Sequence, residues 1–254
     1  MRLEGKVALI TGAGRGIGRG CAVVFGREGC KVVVATRSEG PGLEAVDEIE
    51  VEGGEAVFVQ TDVSVPDQIE RAIDAAIRHY GRLDTLINNA GWHPPATHID
   101  DIALEDFEAL IRQNLTSTFL GCKYATPHLR ETRGSIINMS SMVGILGQRD
   151  AVAYCATKAG QLGITKALAV ELAPQGVRVN AILPAGVDTP LMREWASSTG
   201  DLTEALGIMD DIHPLGRMAT IEEIGRACLF LASEDAAFVT GHSLEVDGGA
   251  ALDY

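Results

Sequence analysis

The sequence alternates between short runs of β-branched residues and longer stretches with helical periodicity, and this alternation limits the fold more than any other feature. Seven runs are nearly continuous in apolar residues, as strands are when a parallel sheet is covered on both faces. Helical stretches separate them, which is typical of a doubly wound α/β Rossmann fold with helices on both faces of the sheet. The predicted strands are Val7–Thr11, Lys31–Thr36, Ala56–Gln60, Leu83–Asn88, Ser135–Ser140, Arg178–Leu183 and Ser243–Val246.

No linker, charge block or internal repeat interrupts this pattern, so residues 1–254 are predicted to form a single domain. One segment departs from it. Pro184–Gly216 has no strand pattern and follows the carboxyl end of a strand, where such folds bind ligands. We expect residues 184–216 to be an inserted substrate loop. The predicted helices are Gly16–Glu28, Gly42–Glu52, Pro66–Tyr80, Leu104–Ala125, Val152–Ala173 and Ile221–Leu231.

Charge and cysteine content exclude several classes of protein. Lys and Arg number 21 against 35 Asp and Glu, a formal net charge of −14, which argues against binding nucleic acid or an anionic membrane surface. No apolar run is long enough to span a bilayer. The 5 cysteines are scattered without a C-x-x-C pair, so neither a disulfide framework nor a metal site is expected, and the cytoplasm is the expected compartment.

A glycine-rich turn follows the first predicted strand and opens the first predicted helix. The sequence TGAGRGIG has glycines in the spacing G-x-x-x-G-x-G. Glycines let the backbone turn sharply and approach a pyrophosphate, and the helix N-terminus presents unpaired N–H groups to it. The turn therefore predicts a dinucleotide site. Its predicted cofactor-binding residues are Gly12, Arg15, Gly16, Ile17 and Gly18.

The end of the second predicted strand bears on the choice of dinucleotide. An acidic residue there accepts a hydrogen bond from a ribose 2′-hydroxyl and repels a 2′-phosphate. This chain instead has Thr36 and Arg37, with no acid before Glu39, and Arg37 offers a planar cation suited to phosphate. The residues favour NADP(H) over NAD(H), with Arg15 closing the other side. The alternative is that Arg37 is a solvated loop residue.

Tyr154 and Lys158 stand four residues apart in a predicted helix, and Ser141 lies thirteen residues before Tyr154. Residues at this spacing share a helix face, so the ammonium is expected beside the phenol. A nearby cation lowers the pKa of a phenol and makes it a usable acid or base. Ser141 directly follows a predicted strand, where its hydroxyl can hold a carbonyl oxygen.

Together with Asn114 and the sequence Asn88-Asn89-Ala90-Gly91, these motifs resemble the short-chain dehydrogenase/reductase family over essentially the whole chain. The resemblance implies an oxidoreductase that transfers hydride between a nicotinamide and a secondary alcohol or ketone, commonly as a homotetramer. Tyr154 would be the general acid/base and Ser141 the residue that orients the substrate oxygen. Lys158 would bind the nicotinamide ribose, and Asn114 would hold a proton-relay water. Further cofactor contacts implied by the resemblance are Asp62, Val63, Asn88, Gly91, Tyr154, Lys158, Pro184 and Thr189.

Two features depart from the usual family pattern. The sequence Pro184-Ala185-Gly186 stands where Pro-Gly is usual. The sequence Trp92-His93-Pro94-Pro95 is similar to the branch that holds L-fucose dehydrogenase and type 14 hydroxysteroid dehydrogenase, whose members usually have an acid after the second strand. We give the Thr36 and Arg37 chemistry precedence for the cofactor. The predicted substrate contacts are His93, Gln148 and Trp195, around a secondary alcohol or lactol on a small ring.

Two other functions are weighed against this one. Reduction of a 3-oxoacyl thioester on an acyl carrier protein needs a basic docking patch, which only a cluster of Arg130 and Arg133 could supply in so acidic a chain. A non-catalytic dinucleotide sensor does not need the set of Asn114, Ser141 and Tyr154. The histidines other than His93 show no metal-ligand spacing and are expected at the surface or in loops.

Overall fold

The computed structural model describes residues 1–198 and 201–252, and one seven-stranded parallel sheet runs through the centre. The strand order is β3-β2-β1-β4-β5-β6-β7, with helices on both faces, which confirms the predicted fold class. All seven predicted strands are present, with bounds that differ by at most two residues. The strands are β1 Val7–Thr11, β2 Lys31–Thr36, β3 Glu55–Gln60, β4 Thr85–Asn88, β5 Ser135–Met139, β6 Arg178–Pro184 and β7 Ser243–Val246.

The described residues contain nine α-helices. The predicted helix Leu104–Ala125 is divided by a turn of π-helix over Ile111–Thr116, and its last part continues through Pro127 to Thr132. A proline usually ends a helix, but burial of Leu129 against the sheet outweighs that preference here. The helices are α1 Gly16–Arg27, α2 Glu39–Val51, α3 Pro66–Tyr80, α4 Leu104–Leu110, α5 Ser117–Thr132, α6 Val152–Leu172, α7 Pro190–Ser198, α8 Leu202–Asp211 and α9 Ile221–Ala232.

The core consists of two apolar layers, one on each face of the sheet. Successive residues of β1 point to opposite faces, so that Ala8 and Ile10 pack with α1 and α9 while Val7 and Leu9 pack on the side of α3 and α5. All four are fully or almost fully buried. This double coverage explains why the strands are continuous apolar runs.

Residues 184–216 were expected to form a loop. They contain helices α7 and α8, so this expectation of their secondary structure is wrong. Each helix has a recognisable start. The Thr189 hydroxyl accepts a hydrogen bond from the N–H of Met192 at 3.1 Å, and the Asp201 carboxylate accepts from the N–H of Thr203 at 2.8 Å. These short helices show no strand-like alternation, and that absence alone does not distinguish a helix from a loop. The substrate role of the segment stays a prediction.

The strand order places the candidate site. The chain crosses from β1 to β2 and β3 on one side, and then returns to β4 on the other side of β1. Loops leaving the carboxyl ends of β1 and β4 therefore diverge and leave a crevice. No helix in residues 1–198 and 201–252 has both the length and the apolar character needed to cross a bilayer.

Candidate active site

A cleft of about 740 Å³ lies at the carboxyl ends of the strands. Its walls come from the loops after β1, β2, β3 and β4, from β5, and from helices α6 and α7. Most predicted site residues line it: Gly12, Arg15, Gly16, Ile17, Thr36, Arg37, Asp62, Val63, Gly91, His93, Tyr154, Lys158 and Thr189. The predicted residues that do not line it are Gly18, Asn88, Asn114, Ser141, Gln148 and Pro184.

The glycine-rich turn has the geometry of an anion cradle. Gly12 has a φ of +68°, a left-handed conformation that residues with a Cβ rarely adopt. A Cβ at Gly18 would lie 2.4 Å from the carbonyl oxygen of Gly12, so this position supports the turn from beneath. Helix α1 begins at Gly16 with no acidic residue in its first turn and no side-chain hydrogen bond from its N-cap, Arg15. Its first N–H groups are thus available to a pyrophosphate, and the turn fits a dinucleotide.

The far end of the cleft carries unpaired positive charge. Arg15 and Arg37 are both exposed, and neither forms an ion pair with any residue that the structure describes. The neighbouring carboxylate of Asp62 is held by the N–H of Ser64 at 2.9 Å and by its hydroxyl at 2.7 Å. These hydrogen bonds, and to a lesser extent the charge of Arg37, lower the pKa of Asp62.

Asn88 was predicted to contact the cofactor, but the neighbouring Asn89 is the residue that lines the cleft. The Asn88 side chain is buried beneath the cleft and donates to Oδ1 of Asn138 at 2.9 Å. Asn89 donates to the carbonyl of Thr11 at 2.9 Å, and the Thr11 hydroxyl accepts from the N–H of both Asn89 and Ala90 at 3.0 Å. Asn89 therefore ties the loop after β4 to the glycine-rich turn. Only the pairing of β1 with β4 identifies this role.

Tyr154 and Lys158 meet at the inner end of the cleft, as predicted from their spacing. The Lys158 ammonium lies 5.5 Å from the centroid of the Tyr154 ring and donates to the carbonyl of Met139 at 2.8 Å. The lysine is only 4% exposed, and its burial lowers its pKa to about 7.

The pKa of Tyr154 is raised overall, so the expected lowering by the Lys158 ammonium does not prevail over burial of the phenol. The dense protein around Tyr154 disfavours a phenolate and raises its pKa above the usual range, although part of the side chain faces the cleft. A hydrogen bond with Ser141 acts in the opposite direction. Ser141 lies two residues after the buried end of β5, and its hydroxyl donates to the carbonyl of Pro184 at 3.5 Å.

Asn114 lies in the π-helical turn and is fully buried. Its side chain is used to hold the loop after β4: Oδ1 accepts from the N–H of Trp92 at 2.9 Å, and Nδ2 donates to the carbonyl of Trp92 at 2.8 Å. This contact places Gly91 beside both Asn114 and Lys158, since a Cβ there would lie 3.4 Å and 3.8 Å from them. A π-turn at such a point is common where function requires a local change in helix register.

His93 lies against the reactive tyrosine. Its ring stacks on that of Tyr154, with centroids 4.2 Å apart and planes inclined by 48°. Nδ1 is 2.6 Å from the carbonyl of Pro94, so this nitrogen carries the proton and Nε2 is the acceptor in the neutral ring. Gln148 is partly exposed and stands outside the cleft wall. Trp195 lies in α7, but its side chain is outside the described part of the structure.

His213 lies in the loop after α8, as expected, but it is buried and only 2% exposed. Its Nδ1 donates to the carbonyl of Met209 at 2.8 Å, and its Nε2 accepts from the N–H of Gly186 at 3.0 Å. A Cβ at Gly186 would lie 2.7 Å from this ring. The histidine thus fixes the Pro184-Ala185-Gly186 turn to α8, which no sequence pattern indicates.

Comparison with known proteins agrees with this geometry. Residues 12–251 match the family model described as enoyl-(acyl carrier protein) reductase. An L-fucose dehydrogenase of Bos taurus is 44% identical over 253 residues, covering 100% of this chain and 92% of that protein. A 3-oxoacyl-[acyl-carrier-protein] reductase of Thermotoga maritima is 37% identical over 253 residues, covering 99% of this chain and 100% of that protein. The crystal structure of a carveol dehydrogenase from Mycobacterium avium in complex with NAD has a TM-score of 0.93 and 30% identity, covering 99% of both chains.

The family match and the full-length relatives agree with the motifs, the strand order and the cleft. The chain belongs to the short-chain dehydrogenase/reductase family of NAD(P)-binding oxidoreductases.

Proposed function

We propose that this chain transfers hydride between NADP(H) and a secondary alcohol or ketone on a small ring. One observation carries the proposal: the cleft that begins on the glycine-rich turn ends where His93, Tyr154 and Lys158 come together. A dinucleotide held at the turn and a substrate beside Tyr154 would share this one cavity, whose volume of about 740 Å³ is in the range of small-molecule sites.

The residues of the chain divide the chemistry among them. Bound nicotinamide supplies the hydride acceptor or donor. The Tyr154 hydroxyl exchanges a proton with the substrate oxygen, and Ser141 donates a hydrogen bond that orients this oxygen. Lys158, which is buried beside the phenol, would stabilise negative charge on Tyr154 and hold the nicotinamide ribose. Thr189 stands beside Gly16 at the wall of the cleft and would contact the carboxamide.

The proposed preference for NADP(H) rests on Arg37 and Arg15. Both guanidinium groups stand at the cleft without an ion-pair partner among the described residues, and the Asp62 carboxylate on the same wall is hydrogen-bonded to Ser64. Thr36 adds a hydroxyl donor on the same wall. The carveol dehydrogenase was crystallised with NAD, and use of NAD(H) here is the alternative outcome of the cofactor test.

The proposed substrate class rests on the surroundings of Tyr154. His93 covers one side of the phenol ring, which leaves a compact space suited to a ring that carries hydroxyl groups. L-fucose and carveol, named in two of the relatives, are ring alcohols. A 3-oxoacyl carrier substrate is less favoured. Arg130 and Arg133 lie at the end of α5 that leads into β5. This is the side where β5 begins, whereas the cleft lies at the carboxyl ends of the strands.

Assembly and location form part of the same proposal. Large apolar side chains are exposed on α4 and α5 and near the C-terminal strand, among them Leu104, Phe119 and Phe238, which suits burial between subunits of a homotetramer. Four of the 5 cysteines are buried and all are free, as is usual in the reducing cytoplasm.

A substrate panel tests the proposed activity. NADPH absorbance is followed with L-fucose, cyclohexanol, carveol, a hydroxysteroid, the corresponding ketones and an acetoacetyl thioester. We expect turnover of at least one ring alcohol or its ketone, with loss of about 10²–10⁴-fold or more in Tyr154→Phe. Tyr124→Phe, on α5 away from the cleft, is the matched control and keeps its activity. Preference for the thioester, or Tyr154→Phe activity close to wild type, contradicts the proposal.

A further inference from the structure

The Lys158 ammonium has a second partner inside the protein that the proposed mechanism leaves unused. Besides donating to Met139, Nζ donates to Oε1 of Gln161 at 3.2 Å. Gln161 lies one turn further along α6 and is only 1% exposed. A glutamine this deeply buried needs a reason, because burying an amide without partners costs free energy.

The other end of the amide is also engaged. Nε2 of Gln161 donates to the backbone carbonyl of Asn114 at 2.9 Å and contacts the hydroxyl of Thr118 at 2.8 Å. The Thr118 hydroxyl donates to the same carbonyl at 2.8 Å. Chemistry fixes the orientation of the amide, since an ammonium requires the oxygen and a carbonyl requires the nitrogen.

We propose that Gln161 is a positioning residue, whose amide holds the Lys158 ammonium beside Tyr154 and links it to the carbonyl of Asn114. This inference rests on the proposed function for its catalytic meaning. Gln161 and Thr118 both donate to the Asn114 carbonyl.

The surroundings of the ammonium make the effect of Gln161 measurable. No carboxylate in the described ranges forms an ion pair with Lys158. The titratable side chains within one turn on its own helix are Tyr154 and Cys155, and the elements packed on it supply the Met139 carbonyl, the backbone of Gly91 and the amide of Gln161. The amide oxygen is therefore one of the two hydrogen-bond acceptors that the described residues offer the ammonium, and changing it changes the protonation of Lys158.

The test is an NMR titration of the lysine side chains, which does not depend on turnover. The chain has 5 lysines, and Lys158→Arg assigns the one of interest. In Gln161→Met, which keeps the length but loses the acceptor, we expect the pKa of Lys158 to fall by about one unit. In Gln161→Glu, a carboxylate replaces the amide oxygen and the pKa rises instead. The Asn114 carbonyl keeps Thr118 as a donor in both variants, which favours folding.

Thr165→Val is the control, because Thr165 donates to the Gln161 carbonyl and lies in the same buried layer without touching Lys158. It should leave the lysine titration unchanged. Shifts in the same direction in Gln161→Met and Gln161→Glu, or an equal shift in Thr165→Val, would overturn the inference. An unchanged Lys158 pKa in both Gln161 variants would also overturn it.

A kinetic measurement connects the hydrogen bond between Gln161 and Lys158 to catalysis. For oxidation of the best ring alcohol, we expect kcat/KM to rise with pH as Tyr154 loses its proton. A less charged Lys158 in Gln161→Met stabilises the phenolate less, so the rising limb should move to higher pH while Thr165→Val leaves it in place. If the lysine titration responds but no alcohol is turned over by the wild type, the proposed function fails and the positioning role stands. If the wild type is active but the rising limb of the pH profile does not move in Gln161→Met, the catalytic part of the inference is overturned.

Discussion

Reversal of cofactor preference by Arg37→Asp follows directly from the charges at the outer end of the cleft. Arg37 is exposed, lines the cleft and has no ion-pair partner among the described residues, so its guanidinium is available to a ribose 2′-phosphate. A charge-assisted hydrogen bond contributes about 1.5–3 kcal/mol, which corresponds to about ten- to hundredfold in kcat/KM for NADP(H). Aspartate removes this attraction, repels phosphate and can accept from a 2′-hydroxyl.

The assay compares kcat/KM for NADPH and NADH with one substrate at low and moderate salt. Wild type should prefer NADPH by about tenfold or more, and Arg37→Asp should prefer NADH, with the difference reduced by salt. Arg71→Asp, an exposed arginine on α3 outside the cleft, makes the same charge change and should leave the preference unaltered. A wild-type preference for NADH, or equal effects of the two substitutions, would refute the reasoning.

Three further predictions concern separate parts of the molecule. His93→Ala removes the ring stacked on Tyr154, and we expect kcat/KM for the best ring substrate to fall by about threefold or more while the KM for cofactor is unchanged, as steady-state kinetics will show. Thr220→Ala removes the capping box of α9 and should lower the free energy of unfolding in urea by about 1 kcal/mol; an unchanged midpoint contradicts this. Arg217 and the Thr220 N–H lower the pKa of Glu223 from 4.5 to about 2, so this carboxylate stabilises the fold above pH 4.5 and loses its effect as the pH falls towards 2. Because the pair is largely exposed, the effect is small, and thermal melts should show a shallower acid decline in Glu223→Gln; equal declines would contradict the assignment.

Periodicity was sufficient to predict the sheet, because a strand buried on both faces has no polar alternation and helices must separate parallel neighbours. The glycine-rich turn and the spacing of Tyr154 and Lys158 could also be read directly, since both are local. The helices α7 and α8 could not, because short amphipathic helices that follow a strand differ little in composition from a loop.

Long-range contacts account for the other differences. Asn88 and Asn89 are neighbours in sequence, and only strand pairing decides which of them faces the cleft. His213 stands far along the chain from Gly186, and its burial depends on how α8 packs. Gln161 is one of several polar residues in α6, and its role emerges only when the π-helical turn brings the carbonyl of Asn114 to it.

The most direct test of the account follows a deuterium label through the reaction. The ring ketone with the highest kcat/KM in the panel is reduced with NADPH carrying deuterium at both positions of C4 of the dihydronicotinamide, and the alcohol is analysed by mass spectrometry and NMR. We predict deuterium on the carbinol carbon, formed about 10²-fold or more slowly by Tyr154→Phe than by wild type. An unlabelled product, or transfer by Tyr154→Phe at the wild-type rate, would contradict the claim that this cleft moves a hydride with Tyr154 as its acid.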